Sequence, residues 1–200
     1  MDAQMSGQSR RLVLASTSRY RRALLERLGL AFEVCAPEVV EQASSGETPA
    51  QTALRLAALK AHAVQPRFPD ALIIGSDQVA AAGAERYGKP GTHENARRQL
   101  RALSGRAVDF HTAVALLDSR SSSMESRVVG CRVHFRELDE RRIEAYLRRE
   151  RPYDCAAAAK AEGLGIALIA RIETDDPTSL IGLPLIALCE MLERAGLPAV

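Results

Sequence analysis

The chain has 200 residues, of which 46% are hydrophobic, so it can bury a sizeable core in one domain and is not expected to be disordered. Its formal net charge of +2 is too balanced to indicate a nucleic-acid-binding protein by itself. The sequence has no apolar run near the ~20 residues that a membrane span needs, and its polar start, MDAQMSGQSRR, does not resemble a signal peptide.

The first half of the chain alternates short apolar runs with helical patterns. We expect residues 1–11 to be a flexible extension. Further along, Thr48, Pro49 and Gln51 form the capping pattern of a helix start. The predicted elements are a strand at Leu12–Ala15, a helix capped by Ser18 and ended by Gly29, a strand at Phe32–Cys35, a helix from Thr48, and a strand at Ala71–Gly75.

The second half of the chain favours hairpins. The predicted elements are a hairpin of Val79–Ala82 with Glu85–Tyr87, a helix from Thr92 to Ser104, strands at Val108–Leu117 and Arg127–Arg136, a helix at Leu138–Arg149, a strand at Gly165–Ile172, and a helix at Leu183–Arg194. This mixture of alternation and hairpins predicts one α/β domain over residues 1–200, with a mixed β-sheet. Four cysteines without a CxxC pair fit no zinc ribbon, so we expect a cytoplasmic protein with reduced thiols.

The segment ASTSRYRR places hydroxyl and basic side chains where the first helix should begin. Helix starts bind anions through free N–H groups and the positive end of the helix dipole. Arg19, Arg21 and Arg22 add guanidinium groups that suit phosphate, and Ser16 and Ser18 can donate hydrogen bonds. The segment therefore indicates a phosphate site, with a basic surface helix capped by serine as the open alternative.

The segment LIIGSDQV is expected to deliver Asp77 to the end of a strand or just beyond it. Ligands bind at strand ends in α/β sheets, where a carboxylate can hold a divalent metal or accept a proton from water. An ordinary turn aspartate is the alternative. Glu38 and Glu41 could complete a metal site or be exposed loop acids, and Lys60 could reach a phosphate or extend into water. Together these residues suggest metal-assisted nucleotide hydrolysis.

Six segments of the chain resemble, in order, motifs of the Maf family of nucleoside triphosphate pyrophosphatases. They are LASTSRYRRALLERLGLAFEV, RLAALKA, LIIGSDQV, GKP, ARRQLRALSG and GLPLIALCEML, and they span about Leu12 to Leu197. The chain looks most like the branch that hydrolyses 7-methyl-GTP. The signs of that branch are Tyr20, SDQ rather than ADT around Asp77, PYDCA, and Glu162 in KAEGLG.

The resemblance implies a Maf/ITPase-like α/β fold, with an elongated mixed β-sheet flanked by helices and a central cleft. It also implies a homodimer, cleavage between the α and β phosphates, and a divalent cation, Mg²⁺ or Mn²⁺. Asp77 falls on the position of the water-activating acid, and Glu41 with Asp77 on metal positions. Phosphate-handling positions match Ser16, Ser18, Arg21, Lys60 and Lys89. Substrate-sorting positions match Tyr20, Gln78 and Glu162.

The chain departs from the family pattern at three places. Arg19 replaces the proline of SPxR, which frees the turn and adds a cation. Val40 replaces an acid in the loop that usually reads EVDE, so metal affinity should fall if that acid helps to hold the metal. Ala157–Ala159 replace residues of a usual CAGSFK segment, and the resulting alanine run could extend a helix.

Three alternative functions are open from the sequence. A broader pyrophosphatase acting on UTP or dTTP would share the chemistry, and a panel of nucleotides would separate it. A phosphate-binding regulatory module without turnover would not need the intact Asp77 and Glu41. A nucleic-acid binder is disfavoured, because acids interleave with the arginines in RELDERRIEAYLRRE. We therefore expect a nucleotide substrate as the partner, and neither nucleic acid nor a membrane.

Overall fold

Capping residues and apolar runs divide residues 10–200, which the computed structural model describes, into seven strands and six helices. The strands are β1 (Arg11–Ala15), β2 (Glu33–Cys35), β3 (Ala71–Ala82), β4 (Glu85–Arg86), β5 (Ala107–Asp118), β6 (Ser123–Phe135) and β7 (Ile169–Thr174). The helices are α1 (Arg19–Glu26), α2 (Pro49–Val64), α3 (His93–Leu103), α4 (Glu140–Glu150), α5 (Thr178–Ile181) and α6 (Leu185–Arg194). Short 3₁₀ turns lie at Gln65–Arg67, Ala156–Ala158 and Leu164–Leu168.

The predicted N-terminal extension falls mostly outside the described residues, because residues 1–9 are not described. At its end, Arg10 donates two hydrogen bonds to the carboxylate of Asp118, of 2.9 and 2.6 Å, and Arg11 begins β1. The predicted helix caps are confirmed. Ser18 accepts a bond from the backbone N–H of Arg21, and the capping box at the start of α2 is complete.

The strands form one mixed sheet in the order β2-β1-β3-β5-β6-β7, with β4 paired to β3, so the predicted α/β fold on a mixed sheet is confirmed. β1 pairs in parallel with β2 and β3. The later pairs, β3 with β5, β5 with β6, and β6 with β7, are antiparallel. Helices cover both faces of β1 and the first half of β3, which explains why these strands read as continuous apolar runs.

The prediction that a strand ends near Gly75 is wrong. β3 continues from Ala71 to Ala82, so Asp77 lies inside the strand. β1 stops at Ala15, which pairs with Gly75, and Asp77 therefore lies just past the carboxyl end of the neighbouring parallel strand. Gly75 does not end the strand, and its role is close packing. A Cβ atom there would lie 2.0 Å from the backbone oxygen of Ala57 in α2.

The core has two main parts, and β3 runs through both. Around its first half, Leu72 and Ile74 pack in a cluster with α1 and α6. Around its second half, Ala80 and Ala82 pack in a cluster with α3 and α4. The segment Gly75–Gln78 crosses from one cluster to the other, and the central cleft opens beside it.

Other predicted boundaries also shift. The predicted strand Gly165–Ile172 begins only at Ile169, because the preceding residues form a 3₁₀ turn. β6 begins at Ser123 rather than Arg127, because the hairpin ladder with β5 extends almost to its turn. The alanine run does not extend a helix. Ala157 and Ala158 have left-handed backbone angles, with φ of 57° and 51°, and form a tight turn instead.

Candidate active site

Lys60 joins the two acidic residues that the resemblance assigns to the metal. Its Nζ lies 2.7 Å from Oδ1 of Asp77 and 2.9 Å from Oε1 of Glu41. Lys60 points inward from α2 and is 3% exposed, and Asp77 is 6% exposed in the middle of β3. A buried ammonium must be paired to be tolerated, so this lysine does not extend into water. Sequence patterns alone had left that choice open.

The carboxyl groups of Asp77 and Glu41 have opposite pKa shifts. Burial raises the pKa of Asp77, and the charges of Lys60 and Arg21 offset that effect only in part. Burial also acts to raise the pKa of Glu41, but the hydrogen bond and charge of Lys60, with Lys89 and Arg21 nearby, outweigh it and leave the pKa below the ordinary value. Asp77 is therefore a stronger base than an ordinary aspartate, and Glu41 is a weaker base than an ordinary glutamate.

Arg21 is held beside Asp77 by a backbone carbonyl. Its Nε donates a hydrogen bond of 2.8 Å to the oxygen of Gly182, and the same oxygen accepts a bond of 2.9 Å from the hydroxyl of Ser76. This shared acceptor links α1 to β3. Burial lowers the pKa of Arg21, and the negative charges of Asp77 and Glu41 act against that shift.

The hydroxyl residues of the ASTS turn lie at the start of α1, as predicted. Ser16 is buried, and its Oγ accepts a hydrogen bond of 3.1 Å from the N–H of Ser18. Ser18 in turn caps the helix through a bond from Arg21 N–H. Arg22 is an exposed residue paired with Glu26, outside the residues that line the cleft, so it is not part of the predicted phosphate site.

The cleft has a volume of about 680 Å³, which is in the range of a small-molecule site. It brings together every site residue that the sequence singled out through the resemblance. These are Ser16, Ser18, Tyr20, Arg21, Glu41, Lys60, Asp77, Gln78, Lys89 and Glu162. Glu38, the other loop acid considered, is exposed and is not among the lining residues.

Three residues at the cleft were missed by sequence reasoning. Thr52 lies two helical turns before Lys60 on α2, and this spacing could have revealed it. Arg86 donates a hydrogen bond of 3.1 Å to the hydroxyl of Thr52. Asp154 comes from the loop after α4 and accepts a bond of 3.1 Å from the hydroxyl of Tyr20, a contact that no spacing predicts.

The predicted substrate-sorting residues differ in their surroundings. The side-chain amide of Gln78 donates to Thr112 Oγ1 at 2.9 Å and to the carbonyl of Ser179 at 3.0 Å, so its N–H groups hold the scaffold. Glu162 is solvent-accessible at the cleft, and partial burial of its carboxyl group raises its pKa. Burial also raises the pKa of Cys155 to about 11, so this thiol is not a nucleophile at neutral pH.

The side chains at the cleft fit a divalent cation that is bound together with substrate. Among residues 10–200, no three His, Cys, Asp or Glu side chains form a metal-binding cluster. Asp77 and Glu41 converge on one ammonium group, however, and Mg²⁺ is commonly held by one or two carboxylates together with substrate phosphates. These two acids are therefore the residues that would hold it.

Known proteins are similar to this chain over most of its length. The sequence model of a family described as "Maf-like protein" matches residues 11–195. A "7-methyl-GTP pyrophosphatase" of Thiobacillus denitrificans is 58% identical over 96% of this chain and 96% of its own. A protein of the same name from Cupriavidus pinatubonensis is 55% identical over 94% of each chain. Another, from Burkholderia orbicola, is 56% identical over 94% of this chain and 91% of its own.

Among solved structures, the Ham1 protein of Staphylococcus aureus has a TM-score of 0.43 and 14% identity, over 62% of this chain and 71% of that chain. This likeness is too weak to assign either a fold or a function. Within residues 10–200, no helix is both long and apolar enough to cross a membrane.

Proposed function

This chain belongs to the Maf family, and from that premise we propose that it is a nucleoside triphosphate pyrophosphatase that hydrolyses 7-methyl-GTP to 7-methyl-GMP and pyrophosphate. One observation carries the proposal. A buried carboxylate of raised pKa, Asp77, lies beside Lys60 and Arg21 in a cleft that the start of α1 also lines. Such a site can activate water next to a bound polyphosphate.

Asp77 is the proton acceptor in this proposal. Its hydrogen bond to Lys60 uses Oδ1, and we assign Oδ2 to the attacking water. The water adds to the α phosphorus as its proton passes to the carboxylate, and the bond from that phosphorus to the bridging oxygen breaks. Pyrophosphate then leaves with the bridging oxygen, and the monophosphate remains.

The cations of the site hold the triphosphate and stabilise the charge that gathers on its oxygens. Arg21 is rigidly placed by Gly182, and Ser16 and Ser18 stand at the start of α1, where N–H groups favour phosphate. Lys60 lies next to the base, and Lys89 extends from an exposed loop. A divalent cation held by Asp77 and Glu41 would supply Lewis-acid stabilisation of the phosphate oxygens.

Two further residues of the cleft favour a positively charged base. Tyr20 offers an aromatic ring, and Glu162 offers a carboxylate. A cation over an aromatic face gains roughly 0.5–2 kcal/mol, and N7-methylation gives guanine a positive charge. This supports 7-methyl-GTP over GTP as the substrate.

Turnover of a nucleotide panel tests the proposed function. We expect metal-dependent release of pyrophosphate that is faster from 7-methyl-GTP than from GTP, UTP or dTTP. Asp77→Asn should lower kcat by about 10²–10⁴-fold, because the water loses its base. Glu38→Gln, an exposed acid outside the cleft, is the matched control and should keep wild-type turnover. Full activity in the Asp77→Asn variant would contradict the assignment.

The same panel decides among the alternatives. Equal rates on UTP or dTTP would favour the broader pyrophosphatase, and binding without turnover in the wild type would favour a regulatory module. Glu162→Gln tests base selection, and we expect its loss of kcat/KM to be greater for 7-methyl-GTP than for GTP. Equal losses on both substrates would exclude Glu162 from base selection. The homodimer implied by the resemblance stays a prediction that light scattering in solution can test.

A further inference from the structure

Arg19 makes three contacts with two residues of the cleft, Tyr20 and Asp154. Its Nη2 donates a hydrogen bond of 2.7 Å to the hydroxyl of Tyr20, and its guanidinium carbon lies 4.8 Å from the centroid of the Tyr20 ring. The same Nη2 lies 3.1 Å from the carboxylate of Asp154. All three residues line the cleft. A flat, delocalised cation is therefore stacked on an aromatic ring and paired with a carboxylate.

A positively charged purine would make the same kinds of contact. The ring of 7-methylguanine, like a guanidinium, is flat and carries a delocalised positive charge, and both are attracted to an aromatic face and to a nearby carboxylate. We infer that Arg19 occupies the place of the cationic base in the free protein, and that the base of 7-methyl-GTP displaces it. This inference rests on the proposed function. It makes Arg19 and Asp154 specificity-determining residues.

The side chain of Arg19 is placed so that it can move away from Tyr20 and Asp154. Its side chain is 70% exposed and that of Asp154 is 49% exposed. Ion pairs of this kind contribute little and are screened by salt, and a long side chain gains freedom when it is released. Arg21, two residues later, is by contrast held by Gly182 and stays with the phosphates. Neighbouring arginines of one helix thus serve different ends of the substrate.

The position of Arg19 offers a conservative way to remove it. Arg19 is the first residue of α1, directly after the cap Ser18. Proline is well tolerated at a first helical position, because its missing N–H has no partner within the helix there. The family pattern also has proline at this point. Arg19→Pro and Arg19→Ala therefore remove the competing cation and keep the helix start.

Binding of the two monophosphates tests the inference without turnover. The dissociation constants of 7-methyl-GMP and GMP are measured by calorimetry at mildly acidic pH, where the methylated base keeps its charge. Their ratio cancels the shared phosphate contacts. We expect preference for 7-methyl-GMP to rise about two- to tenfold in both Arg19 variants, because the freed Tyr20 ring and Asp154 carboxylate attract the charged base more than the neutral one. Asp154→Asn should reduce the preference by a similar factor.

Arg22→Ala is the matched control. It removes the same charge from the same helix, but Arg22 pairs with Glu26 away from the cleft, so the ratio should not change. An unchanged or reduced preference in both Arg19 variants, with the thermal unfolding midpoint of the wild type retained, would overturn the inference. A wild type that turns over 7-methyl-GTP would leave the proposed function standing in that case. A wild type that does not turn over 7-methyl-GTP would refute the proposed function. The ratio of the dissociation constants of 7-methyl-GMP and GMP for Arg19→Pro would still show whether a cationic base binds where Arg19 lies.

Discussion

At the scale of single residues, the site depends on how Lys60 and Asp77 compensate each other. Both side chains are almost fully buried, and each is the nearest opposite charge of the other. Removing one partner of a buried pair leaves an uncompensated charge, so the remaining group shifts its pKa or draws in water. The lysine therefore favours the ionised form of the proposed base, and it lies where the proposed mechanism places phosphate.

This coupling predicts a pH effect. Burial raises the pKa of Asp77 above the ordinary value near 3.9, and Lys60 acts to lower it. In the pH profile of kcat/KM for 7-methyl-GTP, the fall on the acid side, or acid limb, should therefore have its midpoint above about pH 3.9 in the wild type. In Lys60→Met the limb should move to still higher pH, because the lowering effect is lost.

Lys89→Met provides the comparison for that experiment. Lys89 is an exposed cation of the same cleft, and it is not among the main causes of the pKa shift of Asp77. Its loss should weaken substrate binding and leave the acid limb in place. If both lysine variants move the limb equally, general charge rather than the Lys60–Asp77 contact sets the pKa of the base.

At the scale of elements, β3 and α2 together position the base and its lysine. Gly75 allows α2 to approach the strand closely, because its missing Cβ leaves room for the backbone oxygen of Ala57. Lys60 lies one turn further along the same helix and can therefore reach Asp77. The glycine of the LIIGSDQ segment thus serves the site through packing.

Gly75→Ala should be strongly destabilising. The new methyl group would lie 2.0 Å from the oxygen of Ala57, so α2 must shift, and we expect the free energy of unfolding to fall by about 3 kcal/mol or more. Gly130→Ala, in β6, meets nothing within 4 Å and should change it by no more than about 0.5 kcal/mol. Urea unfolding of both variants checks this. Equal stability would mean that α2 does not pack closely on the strand.

The turn at Ala156–Ala158 carries backbone strain. Ala157 and Ala158 have positive φ, which costs a non-glycine residue about 1 kcal/mol or more. The hydroxyl of Tyr146 donates to the carbonyl of Ala158 at 3.0 Å and holds the turn in this shape. The glycine of the usual family pattern avoids this cost, so the alanines here are tolerated through packing.

A pair of glycine substitutions tests that strain. Ala157→Gly relieves a positive φ, whereas Ala156→Gly in the same turn does not. We expect Ala157→Gly to be the more stable variant by about 1 kcal/mol, although it loses a buried methyl group. Thermal or urea unfolding measures the difference. The reverse order would show that methyl packing outweighs backbone strain at this turn.

At the scale of the whole molecule, a charge pair connects the start of the first strand to the end of a distant strand of the sheet. Arg10 precedes the first strand, and its bidentate bond to Asp118 ties it to the end of β5. Each side chain of this pair is about one-quarter exposed. The bonds from Arg10, with a backbone N–H bond from Arg120, lower the pKa of Asp118 to about 2.

A depressed carboxyl pKa stabilises the folded protein at neutral pH. The stabilisation is complete above the unfolded pKa near 3.9 and is lost as pH falls to the folded value of about 2. Asp118→Asn should therefore be less stable than the wild type by about 1–2 kcal/mol at pH 7, with the difference shrinking between about pH 4 and pH 2. Asp70→Asn, which breaks a more exposed pair with Arg120, should have a smaller effect. Urea unfolding at several pH values measures these differences. A difference in the free energy of unfolding between the wild type and Asp118→Asn that stays constant with pH would contradict this interpretation.

Much of the fold could be predicted from local chemistry. Caps at Ser18, Thr48 and Thr92 and the apolar runs placed most helices and strands, because those signals act over a few residues. The errors came where a distant contact decides the local shape. The strand was predicted to end at Gly75 because the packing of α2 against this glycine cannot be seen in the local sequence. The alanine run looked helical because alanine favours helices, whereas the hydrogen bond from Tyr146 that holds the turn comes from another element.

The sequence by itself determined the residue types of the site and their chemistry: a helix start rich in hydroxyls and arginines, an acid after an apolar run, and a lysine on an apolar helix. Only the tertiary structure decided which of them meet. Lys60 and Asp77 are 17 residues apart and bond at 2.7 Å because α2 packs on β3, and Tyr20 reaches Asp154 across 134 residues. Spacing along the chain specifies contacts only within one element, whereas contacts between elements depend on how their buried faces pack.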